Sequence, residues 1–220
     1  MPIPDVPEVT VILPCRNEAD SIAAVIDAVP AGFATLVVDN GSTDATAARA
    51  LRAGAAVVTE PRPGYGHAVH AGVLAARSPI VCTLDGDGSM DPGELAPLIE
   101  AVRSGADLAV GRRRAQAGSW PWHARAGSLL IARRLRSRFG VAVHDIGPMR
   151  AARRENLLDL GVRDRNSGYP VELLVRAGRA GWTVREFDVT YSRRTAGRSK
   201  VSGSLTGSVR ATRDFLRCAR

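Results

Sequence analysis

Lysine is almost absent from this chain of 220 residues: Lys200 is the only lysine, against 29 arginines. Such a skew reflects a bias in composition, yet the formal net charge of +8 still surrounds the protein with a positive field. That field favours anionic partners, which include nucleic acid, an anionic membrane surface and phosphorylated small molecules. Charge therefore limits the partner to an anion and does not select among these three classes.

Aromatic residues are also scarce, at 5% of the chain. A nucleic-acid-binding module would need aromatic side chains spaced for base stacking or a recognised helix motif, and the sequence contains neither. We therefore expect no nucleic-acid partner. The glycine fingerprint of dinucleotide oxidoreductases is absent as well, because Pro14-Cys15-Arg16-Asn17 follows the first predicted strand.

Cysteines and long apolar runs are few. Cys15, Cys82 and Cys218 are far apart and lack the spacing of a zinc site, which argues against a disulfide framework and suits a reducing compartment. No apolar run approaches the ~18 residues of a membrane span, and the first residues do not resemble an export signal. We expect a cytoplasmic protein, with peripheral attachment to the inner face of the membrane left open.

Alternating apolar segments predict the fold. Short β-branched runs such as Val9–Leu13 precede segments whose apolar residues recur at helical spacing, as Ile22, Val25, Ile26 and Val29 do. Four such β-α units follow one another. They predict an α/β protein with an open, mainly parallel sheet and helices on both faces, in a single domain of residues 1–220.

Polar clusters follow three of the predicted strands: Pro14–Glu18 the first, Asp39–Asp44 the second and Asp85–Asp87 the fourth. Open sheets of this kind bind ligands at the carboxyl ends of their strands, which lie along one edge. We therefore expect the three clusters to form one site.

The acidic segment after the fourth strand suggests a metal. Asp85, Asp87 and Asp91 lie within seven residues, and like charges this close repel one another unless a cation lies between them. An EF-hand is excluded, because its glycine and glutamate positions hold Met and Ala. Mg²⁺ or Mn²⁺ bound by Asp85, Asp87 and a diphosphate fits better, with Gly86 allowing a ligand close to the backbone. A surface turn is the alternative.

Seven motifs together resemble the family 2 nucleotide-sugar glycosyltransferases of the GT-A (Rossmann-like) fold, and more closely their polyprenyl-phosphate branch. They occur in the family's order and cover nearly the whole chain. The motifs are Val11–Glu18, Val37–Asp44, Gly64–Ala68, Leu84–Asp87, Asp145–Arg150, Gly168–Glu172 and Ala196–Lys200.

The resemblance implies a donor site in residues 1–111. In it Pro14, Asn17 and Glu18 line the nucleotide pocket and Asp39 helps to hold the base, while Gly64 belongs to the donor set through its motif.

The resemblance also implies roles in the reaction. Asp85 and Asp87 would serve the ribose and the metal-bound diphosphate, with Asp87 as a catalytic residue. Arg198, Ser199 and Lys200 would lie on a loop that closes over the donor, where a cationic side chain stabilises the charge of the departing nucleotide. A solvated turn is the alternative for this loop.

The acceptor would bind in residues 112–220, where the resemblance places Asp145 and Arg150 beside the acceptor channel. A polyprenyl phosphate is already anionic near neutral pH and needs no strong general base, whereas an alcohol would need one, for which Asp145, Arg150 and Glu172 are candidates. The alternative for Glu172 is an ion pair with an arginine.

The leading hypothesis is a metal-dependent inverting transfer of a hexose from a nucleoside diphosphate sugar, of the UDP-glucose or GDP-mannose class, to polyprenyl or dolichyl phosphate. The alternatives are the same donor chemistry on a water-soluble metabolite or glycan, and nucleotidyl transfer to a sugar phosphate. Asn40, Tyr65 and Ser89 depart from residues common in the family and leave the donor base and the metal coordination open.

Two basic amphipathic helices are predicted in residues 112–220. The first spans about 125–139, with Ile131, Ala132, Leu135 and Phe139 on one side and arginines mostly opposite. The second, near the C-terminus, aligns Leu205, Val209, Thr212 and Leu216 beside a stripe of arginines. Each could lie on an anionic membrane or pack its apolar side on the domain.

Overall fold

A computed structural model describes residues 6–194 and contains seven strands and seven α-helices in that range. The strands are β1 Val9–Cys15, β2 Ala34–Asp39, β3 Ala56–Thr59, β4 Ile80–Thr83, β5 Leu108–Ala115, β6 Arg150–Arg153 and β7 Val184–Tyr191. The helices are α1 Ile22–Asp27, α2 Thr46–Arg52, α3 Tyr65–Ala75, α4 Ala96–Arg103, α5 Trp122–Phe139, α6 Arg154–Asp159 and α7 Tyr169–Arg179. A 3₁₀ turn, Pro92–Leu95, leads into α4.

The strands form one sheet in the order β3-β2-β1-β4-β6-β5-β7. The pairs β1-β2, β1-β4, β2-β3 and β5-β7 are parallel, and β6 alone in this sheet of the described chain runs antiparallel to both of its neighbours. The predicted α/β class, with a mainly parallel open sheet in a single domain, is confirmed.

Alternation along β1 shows how the sheet separates two cores. Val9, Val11 and Leu13 face the core that also contains α1 and α4, whereas Ile12 faces the core built with α3, α5 and α7. Successive side chains of a strand point to opposite faces, so a strand that is apolar on both must be covered on both. Helices therefore pack on each face of the sheet, as the sequence predicts.

The expected division at residue 111 falls within β5. The segment Arg112–Arg114 has the charged composition of a polar loop, but it is part of a strand, because β5 continues to Ala115 and pairs with β7 over its full length. Both expected halves therefore contribute strands to one sheet.

The first predicted basic helix is α5, which begins at Trp122 and ends at Phe139. Its predicted apolar side does pack on the protein: Ala132 and Leu135 are buried, and Ile131 lies against the same core. The second, Leu205–Leu216, lies outside the described residues. None of the helices in residues 6–194 is both long enough and apolar enough to cross a bilayer.

Candidate functional site

The acidic turn lies where β4 ends, at the carboxyl edge of the sheet. The strand stops at Thr83, so Asp85 and Asp87 belong to the turn and are not successive outward positions of a strand. Asp87 is 2% exposed; its Oδ1 accepts a hydrogen bond from the backbone N–H of Ser89 at 2.9 Å, and its Oδ2 lies 2.9 Å from Nη2 of Arg194. The turn thus buries a carboxylate that has one arginine partner.

Asp85 is under-neutralised in this turn. Burial and the negative charge of Asp87 raise the pKa of Asp85 to about 7, and Arg194, Arg113 and Arg150 only partly oppose this shift. A buried carboxylate beside a second carboxylate is destabilised in this way unless further positive charge binds close to both. The turn therefore presents oxygen ligands and an electrostatic deficit that a divalent cation would fill.

No group of three or more His, Cys, Asp or Glu residues within residues 6–194 gathers in a metal-binding arrangement. The two carboxylates of the turn could supply only part of a coordination shell. A hard cation at this turn would take its remaining ligands from water or from a phosphorylated substrate.

Gly86 has a different role from the one expected. The sequence suggested that it lets a ligand approach the backbone, but a Cβ on Gly86 would collide with Sγ of Cys15 and come within 3.3 Å of Ile22 Cδ1. The space is taken by the protein's own core. Gly86 is needed so that the acidic turn can pack down on β1 and α1.

Three arginines face the acidic turn from separate elements. Arg113 comes from β5, Arg150 begins β6, and Arg194 follows β7. Arg150 is 4% exposed, its Nη2 donates to the carbonyl of Ile146 at 3.3 Å, and its Nε has no hydrogen-bond partner among the described residues. A buried guanidinium with an unused donor suits an anionic ligand.

Asp145 is paired far more completely than the acidic turn. Arg113 donates to it from Nε and Nη2, both at 2.8 Å, and from its backbone N–H at 3.0 Å. Ser128 Oγ donates at 2.6 Å and the N–H of Ile146 at 2.8 Å. Burial alone would raise the pKa of Asp145, but these hydrogen bonds outweigh it and lower the pKa below its ordinary value. Asp145 anchors Arg113 and has little capacity left to accept a proton.

Arg113 lines an open cleft beside this network. Its guanidinium stacks on Trp120, 3.8 Å from the ring centre, and Trp120 in turn lies 5.8 Å from the ring of Tyr191. The cleft has a volume of about 240 Å³. Its lining includes Arg112, Arg113, Arg114, Gln116, Trp120, Arg125, Leu129, His144 and Asp145. It is a basic cleft suited to an anion.

The predicted nucleotide-pocket residues lie at the carboxyl ends of β1 and β2 and on the loop that follows β1. Asn17 adopts a left-handed conformation with φ of 54°, and its Oδ1 accepts from the N–H of Thr43 at 2.7 Å while its own N–H donates to Ser42 Oγ. Asp39 ends β2 and accepts from the N–H of Ser42 at 3.0 Å. Pro14 is in β1, and Glu18 follows in the next loop. The structure thus brings these four residues to one edge of the sheet.

Gly64 begins α3 beside the same edge. Its φ of 142° and a would-be Cβ collision with the carbonyl of Arg165 both require glycine. Its N–H donates to Oδ1 of Asn40 at 2.9 Å, and the amide of Asn40 donates to the carbonyls of Glu60 and Arg62. Asn40 needs a donor as well as an acceptor here, which an acid could not supply.

The general-base candidate Glu172 and the cleft residue His144 are both engaged in internal contacts. Glu172 accepts from the N–H groups of Arg163 and Asp164 and pairs with Arg176, as the ion-pair alternative predicted. His144 Nδ1 lies 2.7 Å from Glu186 Oε2. The predicted loop residues Arg198, Ser199 and Lys200 lie outside the described residues.

Sequence reasoning missed Arg113, Arg194 and Glu186. Arg113 lies among three consecutive arginines, and Leu108–Ala115 shows no alternation of apolar and polar residues that would mark it as an inward position of a strand. Glu186 accepts the backbone N–H groups of His144 and Asp145 and so fixes the turn that carries Asp145. Neither Arg194 nor Glu186 stands in a motif, and nothing local in the sequence identifies them.

Residues 10–161 match the sequence model of the family described as glycosyl transferase family 2. An uncharacterized glycosyltransferase of Mycobacterium tuberculosis is 63% identical over 208 residues, covering 94% of this chain and 95% of the relative. A dolichyl-phosphate hexose transferase of Haloferax volcanii is 35% identical over 206 residues, covering 91% and 90%.

A solved structure shares the fold. It is the glucosyl-3-phosphoglycerate synthase of Mycobacterium tuberculosis in complex with Mn²⁺, UDP and glucosyl-3-phosphoglycerate, with a TM-score of 0.75 and 26% identity. The match covers 96% of this chain and 77% of that one.

Proposed function

Because this chain belongs to the family 2 glycosyltransferases, we propose that it transfers a hexose from a nucleoside diphosphate sugar to the phosphate of a polyprenyl phosphate, with inversion at the sugar and with Mg²⁺ or Mn²⁺ bound. The single observation that carries the proposal is the juxtaposition of an under-neutralised acidic turn, Asp85–Asp87, with three arginines. A bound cation would compensate the negative charge of the acidic turn, and a diphosphate would compensate the positive charge of the arginines. The two ligands together satisfy both groups of charges, and neither does so alone.

The donor would bind along the carboxyl edge of the sheet. Asp85 and Asp87 would hold the cation, which supplies Lewis-acid stabilisation of the departing diphosphate. Pro14, Asn17 and Glu18 would line the nucleotide pocket with Asp39 near the base. The carboxyl edge of an open α/β sheet is where such ligands bind, which supports this placement.

The leaving nucleotide would also meet side chains of this protein. Arg194 reaches the acidic turn directly. On the resemblance of the motif Ala196–Lys200 alone, Arg198, Ser199 and Lys200 would act on the donor phosphates. Positive groups placed there would stabilise the charge that develops on the leaving group.

An acceptor that is already anionic suits the rest of the site. The two carboxylates that the sequence offered as general bases are both occupied, Asp145 by five donors and Glu172 by three. Arg150, which is not in the lining of the cleft beside Asp145, has a buried Nε with no hydrogen-bond partner among residues 6–194. The cleft itself is lined with Arg112, Arg113, Arg114 and Arg125. A phosphate monoester needs no deprotonation by a strong base, and these arginines would orient it.

The comparisons support a phosphorylated acceptor of two kinds. The Haloferax volcanii relative is named for a dolichyl phosphate, and the structural neighbour for a phosphoglycerate. We favour the lipid phosphate because the sequence relationship to the former, at 35% identity, is stronger than that to the latter, at 26%. Transfer to a water-soluble phosphorylated metabolite is the second candidate.

The test is an assay with radiolabelled UDP- and GDP-hexoses, Mn²⁺, and either polyprenyl phosphate in detergent or 3-phosphoglycerate. The proposal predicts label in the organic phase, release of UDP or GDP, and loss of product in Asp87→Asn and with EDTA. Label found only in a water-soluble product would show that the acceptor is a water-soluble metabolite and not the polyprenyl phosphate. Release of pyrophosphate instead would identify a nucleotidyltransferase and overturn the proposal.

A further inference from the structure

Helix α5 leaves large apolar side chains in solvent. Within residues 6–194 six large apolar side chains are exposed, and three of them lie on this helix: Trp122 at 81%, Leu130 at 71% and Leu129 at 48%. Single exposed apolar residues are ordinary on protein surfaces, but three large ones on the same helix are not. They lie on the side of α5 that is turned away from Ala132 and Leu135, which are buried.

The three residues form a continuous ridge. Trp122 and Leu129 are seven residues apart, which is close to two turns, and Leu130 lies beside Leu129. Arg133 continues the ridge one turn beyond Leu129 and Leu130 and is also exposed. The outward side of α5 is thus apolar near its beginning and basic towards its end.

The positive charge on α5 is not neutralised by any carboxylate in the part of the chain that the structure describes. The helix contains five arginines and no acidic residue: Arg125, Arg133, Arg134, Arg136 and Arg138. None of these arginines forms an ion pair with a carboxylate in residues 6–194, and Arg136 donates to the carbonyl of Val143. A partner that binds the outward side of α5 must therefore offer both an apolar region for the exposed side chains and negative charge for the arginines.

We propose that the outward side of α5, defined by Trp122, Leu129, Leu130 and Arg133, docks on an anionic lipid bilayer. Trp and Leu would enter the interface, where an indole ring is favoured, and the arginines would meet anionic headgroups. This deepens the proposed function, on which its purpose rests, because Leu129 and Arg125 also line the cleft beside Asp145. Docking there would bring the cleft to the membrane surface.

The remainder of this chain is a poor occupant for the same side. Residues 195–220 contain six basic residues and one acidic residue, so their net positive charge would meet the arginines of α5. A second copy placed symmetrically would likewise bring arginine against arginine. Charge complementarity therefore selects an anionic surface over both.

The test is co-sedimentation of the full chain with vesicles of phosphatidylcholine, with and without phosphatidylglycerol, in the absence of donor and acceptor. We expect binding that needs phosphatidylglycerol. Leu130→Glu should weaken it more than tenfold, and Arg133→Gln with Arg134→Gln about fivefold for each arginine removed. Leu74→Glu is the matched control, because Leu74 is 55% exposed on α3, and it should bind as the wild type does.

Three results would overturn the docking proposal. Wild type that does not bind these vesicles is one, and Leu130→Glu that binds like Leu74→Glu is another. The third is a Leu130→Glu variant that lowers the unfolding midpoint or dissociates a dimer in ultracentrifugation without changing vesicle binding, which would assign the side to the chain itself or to a second copy.

The two proposals fail separately. These vesicles contain no polyprenyl phosphate, so vesicle binding without any lipid-linked product would overturn the proposed function alone. Lipid-linked product formed in detergent by a protein that ignores vesicles would overturn the docking proposal alone.

Discussion

Two acidic sites of this protein, Asp145 and the turn that carries Asp85 and Asp87, are neutralised to opposite extents. Asp145 receives five hydrogen bonds, three of them from Arg113, and its pKa is lowered. Asp85, in the turn after β4, has its pKa raised to about 7 by burial and by Asp87. Both sites lie near the same edge of the sheet and are influenced by Arg113.

Under the proposed function, the difference separates a structural carboxylate, Asp145, from a carboxylate that would bind a ligand, Asp85. Asp145 satisfies its hydrogen-bonding capacity within the protein, so its charge contributes to stability. The acidic turn keeps an electrostatic deficit that the folded protein alone does not remove, as binding sites commonly do. Substitutions in the two sites should therefore move activity and stability in different directions.

The largest expected effect is on activity. Asp87→Asn should lower hexose transfer at least about a thousandfold, equivalent to about 4 kcal/mol, because the cation that stabilises the leaving group loses a ligand. The free energy of unfolding should change by only about 1 kcal/mol, since repulsion with Asp85 and attraction to Arg194 are lost together. Labelled-donor assays and urea unfolding measure the two quantities. Retained activity in Asp87→Asn would show that the acidic turn takes no part in the reaction.

Asp145→Asn should lower the free energy of unfolding by about 3–5 kcal/mol, because it leaves Arg113 buried without its charge partner. The folded-state pKa is below the ordinary 3.8, so the contribution of Asp145 is full above that value and is lost as the pH falls through the folded pKa. The deficit of the variant should therefore be constant near neutrality and shrink in acid.

A control for Asp145 lies on β7, the strand that pairs with the strand of Arg113. Asp188→Asn removes the exposed ion pair with Arg114, 2.7 Å long, and should cost less than about 1 kcal/mol. Equal losses in the two variants would contradict the distinction drawn for Asp145.

Asp85→Asn should have the opposite sign from Asp145→Asn. A folded-state pKa of about 7 against an ordinary 3.8 means that ionisation of Asp85 opposes folding, with the penalty absent in acid and complete above about pH 7. In EDTA at pH 8 the variant should be more stable by about 2 kcal/mol, after discounting for partial solvent screening. The gain should vanish near pH 4.

The control for Asp85 is Asp20→Asn, which removes an exposed negative charge at an ion pair with Arg49. It reports the general effect of raising the net charge of a basic protein, and it should change stability by less than about 0.5 kcal/mol. A gain as large as that of Asp85→Asn would assign the effect to net charge.

The smallest expected effect concerns the support of Arg113. Trp120→Leu should cost about 1 kcal/mol of unfolding free energy through loss of the cation–π contact. Trp122→Leu is its matched control, two residues away and 81% exposed, and should leave the unfolding midpoint unchanged. The same loss in both variants would show that stacking on Arg113 contributes nothing specific.

The first part of the fold was predictable because its signals are local. Strand and helix spacing repeats four times before residue 103. The buried positions Ile22, Val25 and Ile26 match the predicted stripe, and its fourth residue, Val29, is partly buried against the same core. β6, β7 and the two helices between them were not predicted. Their pairing depends on contacts distant in sequence, such as that of Val110 with Arg150.

The candidate site was predictable to the same degree. Asp85 and Asp87 stand together in the sequence, whereas Arg113 and Asp145 are 32 residues apart and meet only in the folded chain. The apolar stripe of α5 was found, but the exposure of Trp122 and Leu130 depends on which side the protein covers. The local sequence pattern identifies Asp85 and Asp87 as the proposed cation ligands, whereas tertiary packing determines which arginines lie near them.

The antiparallel strand β6 sets the distance between two parts of the sheet edge, the acidic turn and the strand that carries Arg113. It separates β4 from β5, which run in the same direction as each other, so the acidic turn and the Arg113 strand stand two inter-strand spacings apart, about 10 Å. Backbone hydrogen bonds fix that width whatever side chains surround it. Under the proposed function, substitutions in the loops would change which sugar or base is accepted, while the distance between the proposed cation side and the proposed acceptor side would stay constant.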